Sequence, residues 1–167
     1  MLKKIISGGQ TGVDQAALRV ARELGFEIGG WCPPNRACEN GTIPDDFPLI
    51  PTPYEHSPDA PHIPRSLRTE WNVRDSDATL VLLPHFLQHD TGTAWTITCA
   101  QHFAKPLLVI DPFLKDAPTN IDNWLASLSP RILNIAGPSE RTCPGIGHAT
   151  EDILRQVLSK HPHSPLP

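Results

Sequence analysis

Residues Ala78-Thr79-Leu80-Val81-Leu82-Leu83 form a nearly continuous apolar run, closed by Pro84. A strand with one wet face alternates apolar and polar side chains. A run that is apolar throughout belongs to a strand covered on both faces, the habit of parallel sheets flanked by helices. Pro106-Leu107-Leu108-Val109-Ile110-Asp111 repeats the pattern and reads as a second buried strand. Leu2–Ile6, Phe26–Trp31 and Arg131–Gly137 read as further short strands. Between them the spacing turns helical. Val13, Ala16, Ala17, Val20, Ala21 and Leu24 recur on one face until Gly25 stops the pattern. Thr11 with Asp14 three residues on fits a capping-box-like start for that helix. Four more helices are expected: Ser66–Asp75, the segment ending at Phe103, Ile121–Leu128 capped by Thr119 or Asn120, and about 149–160. Strand and helix alternate, so the expected fold is α/β, an open and mainly parallel sheet with helices on both faces.

A chain of 167 residues suits a single domain. That domain is expected over 1–160, with His161–Pro167 as a frayed tail. Nine of the 19 prolines lie between Pro33 and Pro64. Helix is not expected in such a stretch, because proline removes a donor and restricts its predecessor. A long loop inside a compact domain is commonly functional, so 32–64 is expected to be an ordered excursion covering part of a site. The net charge of −4 argues against a duplex nucleic-acid binder, which needs a broad basic face. No run of about 18 apolar residues exists to span a membrane. Only Ile5 and Ile6 follow Lys3 and Lys4 before the first glycines, too few for the apolar core of a signal peptide, so the expected location is cytoplasmic. Cys32, Cys38, Cys99 and Cys143 lack the two-residue spacing of a metal knuckle or redox motif and read as isolated reduced thiols. His85 and His89 could share a helical face, but their surroundings suggest a loop, and no metal site is assigned.

In open α/β sheets ligands sit beyond the carboxyl ends of the strands. The site is therefore expected to gather the residues after the first strand (Ser7 to Gly12), after the middle strand (Pro84 to Thr93) and after the last strand (Gly137 to Gly147). Two loops there carry donors. Ser7-Gly8-Gly9-Gln10-Thr11-Gly12 joins a strand to a helix, so its main-chain amides and the helix terminus suit an oxyanion. It is neither the lysine-bearing phosphate loop nor the six-residue dinucleotide fingerprint. Asp90-Thr91-Gly92-Thr93 is the second, with Thr91 or Thr93 as the plain capping alternative. Together the two loops can clamp one anionic ligand. A third group, Arg68 to Asp77, is dense in polar residues beside the most buried strand. Glu70 and Arg74 are four apart and can simply pair. Asn72, Asp75 and Asp77 need partners if buried, and a ligand's N–H groups would supply them. No nucleophile–base arrangement is evident, so no catalytic residue is assigned.

These strings also resemble a known family. Ser7–Asp14, Gly30-Trp31-Cys32-Pro33, Arg68–Asp77, Thr91-Gly92-Thr93, Ala136-Gly137-Pro138 and Pro144-Gly145-Ile146 are similar to the molybdenum cofactor carrier proteins, over about residues 5–157. The resemblance implies a Rossmann-like fold related to the lysine-decarboxylase-like phosphoribohydrolases. It implies homo-oligomers, dimers or tetramers, that bind and protect the molybdenum cofactor, a pterin dithiolene with a terminal phosphate. Partners would be molybdoenzymes or cofactor-synthesis proteins. The enzymatic relatives carry Pro-Gly-Gly-x-Gly-Thr-x-x-Glu. Gly92-Thr93 aligns with its Gly-Thr, but Thr96 stands where the glutamate would be, and threonine cannot supply carboxylate chemistry. A non-enzymatic carrier therefore ranks above a nucleoside monophosphate phosphoribohydrolase or a nucleotide-binding module. Under this reading Ser7–Gly12 and Thr91–Thr93 hold phosphate or molybdate oxygens, Asp75, Asp77 or Glu70 accept from the aminopyrimidine edge, and Arg36 and Arg74 pair with anionic groups. Asp14 is expected to face away from the ligand, towards a cap or a neighbouring subunit. Gly9→Asp and Asp75→Ala should then weaken binding and leave the fold intact.

Overall fold

The structure, a computed structural model, describes residues 1–87 and 90–161. His89 of the expected His85–His89 pair lies outside the described residues, as do residues 162–167 of the expected tail. Among the described residues the elements run β1 (Lys4–Ile6), α1 (Val13–Glu23), β2 (Glu27–Gly29), β3 (Trp31–Cys32), β4 (Ala37–Cys38), β5 (Gly41–Thr42), β6 (Ile50–Pro51), α2 (Ser66–Arg74), β7 (Ala78–Leu82), α3 (Thr91–His102), β8 (Leu107–Ile110), α4 (Ala117–Leu128), β9 (Ile132–Ala136) and α5 (Ile146–Leu158). Five strands form the main sheet in the order β2-β1-β9-β7-β8, every neighbouring pair parallel. The fold is α/β and Rossmann-like.

Burial explains the order. All five residues of β7 are buried, as its unbroken apolar run requires of a central strand. On one sheet face Val13, Ala17 and Val20 of α1, Ile121 and Leu125 of α4, and Ile153, Leu154 and Val157 of α5 pack on Ile5, Leu80, Leu82, Leu133 and Ile135. On the other, Val73 of α2 meets Trp95, Cys99 and Ala100 of α3. The 32–64 excursion holds two small two-stranded ladders, β3–β6 and β4–β5. Its Ile43, Phe47 and Leu49 form a cluster with Cys32 and with Leu18 of α1.

Several boundaries differ from expectation. The strand expected over 26–31 ends at Gly29, and Trp31 leaves the sheet to pair with Ile50. The strand at 107–110 is not buried. It is an edge strand, with Leu107 and Leu108 half-buried and Val109 exposed. Helix α4 starts at Ala117, before Thr119 and Asn120, because Pro118 falls in its first turn, where a missing N–H costs nothing. Helix α5 starts at Ile146. His161, expected in the tail, is anchored to Asp122 at 2.8 Å. Thr11 does not cap α1. Gly12 is the N-cap, and the Thr11 hydroxyl donates to Glu39 instead, at 2.7 Å.

Neither threonine caps α3. Asp90 does, its Oδ2 accepting from the Thr93 N–H at 2.7 Å and the Thr93 hydroxyl at 2.9 Å. Asp90→Ala is expected to lower stability by about 1 kcal/mol, as loss of a side-chain cap generally does. A shift in the urea midpoint at unchanged slope measures this, and an unshifted midpoint would show the cap to be idle.

Candidate functional site

Strands β1, β7 and β9 end side by side, and the cleft lies where expected, beyond their carboxyl ends. An inner cavity of about 50 Å³ is lined by Arg68, Thr69, Asn72, Asp90, Gly92, Thr93, Thr96 and Asn134, with Val81, Ala136 and Gly137. An outer one of about 140 Å³ shares Arg68, Thr69, Asp90, Gly92 and Gly137 with it. The outer part adds Gln10, Arg65, Thr91, Ser139 and Thr142, and its rim includes Ile63 and Pro64 from the end of the excursion. Gln10 and Thr91-Gly92 thus bring both donor loops to one cleft.

The cleft's cations come from the first turn of α2. Arg65 is the residue before the helix, in left-handed conformation (φ 57°), with its N–H donating to Glu55 at 3.0 Å. Its guanidinium makes no hydrogen bond or ion pair among the described residues, and its Nε is buried without an acceptor. Arg68 lies one turn on. It donates to Asp14 Oδ2 at 3.1 Å, and its Nε too is buried without an acceptor. Burial pulls the Arg68 guanidinium below its usual value; Asp14 opposes this and Arg65 adds to it. Burial likewise pushes the Asp14 carboxyl up against the pull of Arg68. Two guanidinium groups share one cleft, and together they retain N–H groups with no acceptor. Such groups are costly unless something meets them.

The first glycine loop does not form the expected amide cradle. The Gln10 N–H is taken by Asp14 Oδ2 at 3.2 Å, so the protein supplies an internal carboxylate where a ligand oxygen was expected. The side chain of Arg68 lies against Gly8. Leu49 and Ile43 cover Gly9, and the Pro138–Glu140 backbone packs on Gly12. Ser7 is buried, its hydroxyl donating to the Ile135 carbonyl. Thr11 faces Glu39. Only Gln10 of this loop lines the cleft described above; its Nε2 donates to Ala37 and its Oε1 has no partner. Asp14 is only 1% exposed and turns towards neither the surface nor a cap, because Arg68 claims it.

Asn72 reaches the inner cavity while its amide also pairs with both backbone groups of Trp31, at 2.8 and 2.9 Å. The other acidic and basic candidates lie elsewhere. Arg36 donates from its two terminal nitrogens to the carbonyls of Leu49, Pro44 and Phe47, tying the excursion down away from the cleft, and its Nε too is buried without an acceptor. Arg74 stacks on Trp71 and pairs with Asp75 at 2.7 Å. Asp75 also accepts from the Trp31 indole at 2.7 Å. The Arg74 hydrogen bond, with help from that indole, holds the Asp75 carboxyl below its usual value. Asp77 accepts from the Arg131 and Ile132 N–H groups, both at 2.8 Å, at the amino ends of β7 and β9. A five-residue strand, about 16 Å at 3.3 Å per residue, separates it from the cleft. Glu70 lines neither cavity. Asp75 and Asp77 are exposed and paired, so neither needs a ligand to explain it.

Arg65 and Asn134 lie outside every segment that the sequence placed at the site; Thr69 falls in the Arg68–Asp77 group, and Ser139 and Thr142 in the Gly137–Gly147 segment after the last strand, but none of the three was singled out as a ligand contact. Asn134 had a signal, as a lone amide within the apolar run Ile132–Ala136. Arg65 had none, because its placement depends on a left-handed backbone after Pro64. Thr96 reaches the inner cavity, but its hydroxyl donates to the Gly92 carbonyl at 2.9 Å. Asp90 supplies the carboxylate of this cleft, and both its N–H and O–H partners come from Thr93.

A doubly wound sheet with a small cleft beyond the carboxyl ends of its strands, lined by two guanidinium groups and one carboxylate, defines a Rossmann-like protein. A profile of the circularly permutated YpsA SLOG family matches residues 5–158, and the chain belongs to that family. It is similar over 94% of its length to a crystal structure from Syntrophus aciditrophicus SB named "Putative molybdenum carrier protein". The identity is 40%, 95% of that chain is covered, and the TM-score is 0.83. No curated protein matches. Among the described residues no helix is long and apolar enough to cross a membrane.

Proposed function

We propose that this chain carries and protects the molybdenum cofactor in the cytoplasm as a homo-oligomer, delivering it to molybdoenzymes or receiving it from cofactor-synthesis proteins. The cofactor's anionic end, its terminal phosphate or its molybdate oxygens, enters the cleft between α2 and α3. Arg65 and Arg68 meet it, with the Thr91-Gly92 backbone beside it; Gln10, Thr69 and Ser139 shape the wall, their own protons going to Asp14 and Ala37, to the Arg65 carbonyl and to Glu39. The observation that carries this reading is the pair of buried guanidinium nitrogens without an acceptor, one on each arginine. Cavities of about 50 and 140 Å³ suit a tetrahedral anion with some water rather than a whole pterin. The pterin then lies outward, along the rim at Ile63 and Pro64. The Syntrophus protein's name, a molybdenum carrier, supports a molybdenum-bearing cargo. Thr96, with its hydroxyl turned to Gly92, supports retention without cleavage.

The test is anaerobic incubation of the purified protein with molybdenum cofactor, followed by gel filtration, beside an incubation with AMP assayed for ribose 5-phosphate. The expected result is near-stoichiometric cofactor in the protein peak and no ribose 5-phosphate. Arg65→Ala should weaken retention by about 10–100-fold, the usual weight of a charge-assisted hydrogen bond. Absent retention, or retention equal in the variant, would overturn the reading. Release of ribose 5-phosphate would favour a phosphoribohydrolase instead.

A further inference from the structure

The two edges of the main sheet are unlike. Strand β2 carries an exposed Glu27 and is followed directly by the excursion, whose Phe47 and Leu49 pack beneath Ile28. Strand β8, Leu-Leu-Val-Ile, has no charge and no cover of that kind. The Thr79 N–H donates to the Pro106 carbonyl and the Leu83 N–H to that of Ile110, both at 2.9 Å. In a parallel ladder this turns the peptide groups of Leu108 and Ile110 towards β7 and those of Leu107 and Val109 outward. Among the described residues nothing bonds to the outward pair.

The devices that normally blunt an edge are turned inward here. Lys105, just before the strand, donates its ammonium to the Ser76 carbonyl at 2.8 Å. Asp111, just after it, is held by the His85 N–H at 3.0 Å and the Phe113 N–H at 2.9 Å. That same contact gathers exposed apolar side chains at the carboxyl end of the strand. Phe86 is 73% exposed, Phe113 58%, Leu114 43% and Val109 38%.

We propose that β8 pairs antiparallel with β8 of a second copy, about a two-fold axis at Leu108, joining two five-stranded sheets into one. Only this register satisfies the outward groups reciprocally: Leu107 of each copy faces Val109 of the other in a hydrogen-bonded pair, and Leu108 faces its own counterpart. A two-fold contact must be self-complementary in this way. The antiparallel arrangement carries Phe86 and Phe113 of one copy towards the Phe103–Pro106 turn of the other. At about 200 Å² for a whole phenylalanine, the exposed side chains amount to roughly 400 Å² per copy. These apolar groups flank the paired strands on both sides of the two-fold axis and supply about half of the roughly 800 Å² a side that a stable complex buries. The pairing stands whatever ligand the cleft takes.

Light scattering after gel filtration, at tens of micromolar protein, should give the wild-type chain an even-numbered mass. Val109→Lys should halve it with circular dichroism unchanged, because Val109 is exposed in the single chain and the proposed register would bring the two lysines together on one face of the seam. Leu108→Cys, in a Cys38→Ser background, should form an intermolecular disulfide under mild oxidation. Non-hydrogen-bonded antiparallel partners lie about 4.5 Å apart at Cα, within disulfide reach. Cys32, Cys99 and Cys143 are buried and will not compete. Adding Val109→Lys should abolish that cross-link. A monomeric wild type, an undiminished mass in Val109→Lys, or no cross-link in the Leu108→Cys protein would each overturn the pairing, including the case where another protein's strand occupies this edge.

Discussion

Arg68→Met is expected to destabilise the protein by about 3–5 kcal/mol, the usual consequence of removing one partner of a buried ion pair. Methionine keeps most of the volume packed on Gly8 but leaves Asp14 without a counter-charge. Asp14 Oδ1 already lacks a hydrogen-bond partner, so its burial depends chiefly on Arg68, with the Gln10 N–H as a lesser support. Adding Asp14→Asn should recover a large part of the loss, since a neutral amide is far cheaper to bury. The pH dependence follows from linkage. Burial raises the Asp14 carboxyl above 3.8 in the folded chain, and Arg68 opposes that rise. A raised carboxyl contributes stability below its unfolded value and loses it as pH climbs through the folded one. Without Arg68 the folded value rises further. The gap between wild type and variant should therefore be small near pH 4 and widen towards about pH 7. Urea denaturation of the three proteins at both pH values measures this. A gap below about 1 kcal/mol at neutral pH, or one that narrows as pH rises, would show that the pair is not a buried one.

The sheet was legible because its strands announce themselves. The run Ala78–Leu83 could only be central, and the glycine-bearing turns fixed where strands end. The edge position of β8 was not legible, because an apolar four-residue strand reads alike whether both faces are covered or its rim is bare. The region of the cleft followed from topology alone, since any doubly wound sheet opens at the carboxyl ends of its strands. Its chemistry followed less well. Glycines were read as room for a ligand, yet Gly8 and Gly9 make room for Arg68, Leu49 and Ile43. Both uses demand the absence of a Cβ, and sequence does not distinguish them. The carboxylates at 75 and 77 were read as ligand acceptors, yet they serve the Trp31 indole and the start of β9. Partner choice there depends on which elements meet in space. Arg65 escaped for the same reason: a left-handed residue after proline aims its side chain by backbone geometry that no local pattern encodes.

The same distinction decides what an acidic residue does at position 9. Gly9→Asp is expected to prevent stable folding rather than to weaken binding selectively. A Cβ at Gly9 would meet the Leu49 and Ile43 methyl groups at 2.5 and 2.7 Å, and φ is +81°. Overpacking of that kind costs about 1–3 kcal/mol, and a left-handed non-glycine residue about 1–2 more. The carboxylate would also sit beside the apolar cluster of Cys32, Phe47 and Leu49, where the terminal nitrogens of Arg36 are already spent on the Leu49, Pro44 and Phe47 carbonyls. These losses approach the whole stability of a domain this size. Gly145→Ala separates the causes. Its φ is +89°, but a Cβ there meets nothing within 4 Å, so only the backbone term remains and about 1–2 kcal/mol should be lost. Soluble yield and thermal midpoint of the two variants give the comparison. A Gly9→Asp protein as stable as Gly145→Ala would mean that Leu49 and Ile43 move aside freely, reopening this loop to an anionic ligand.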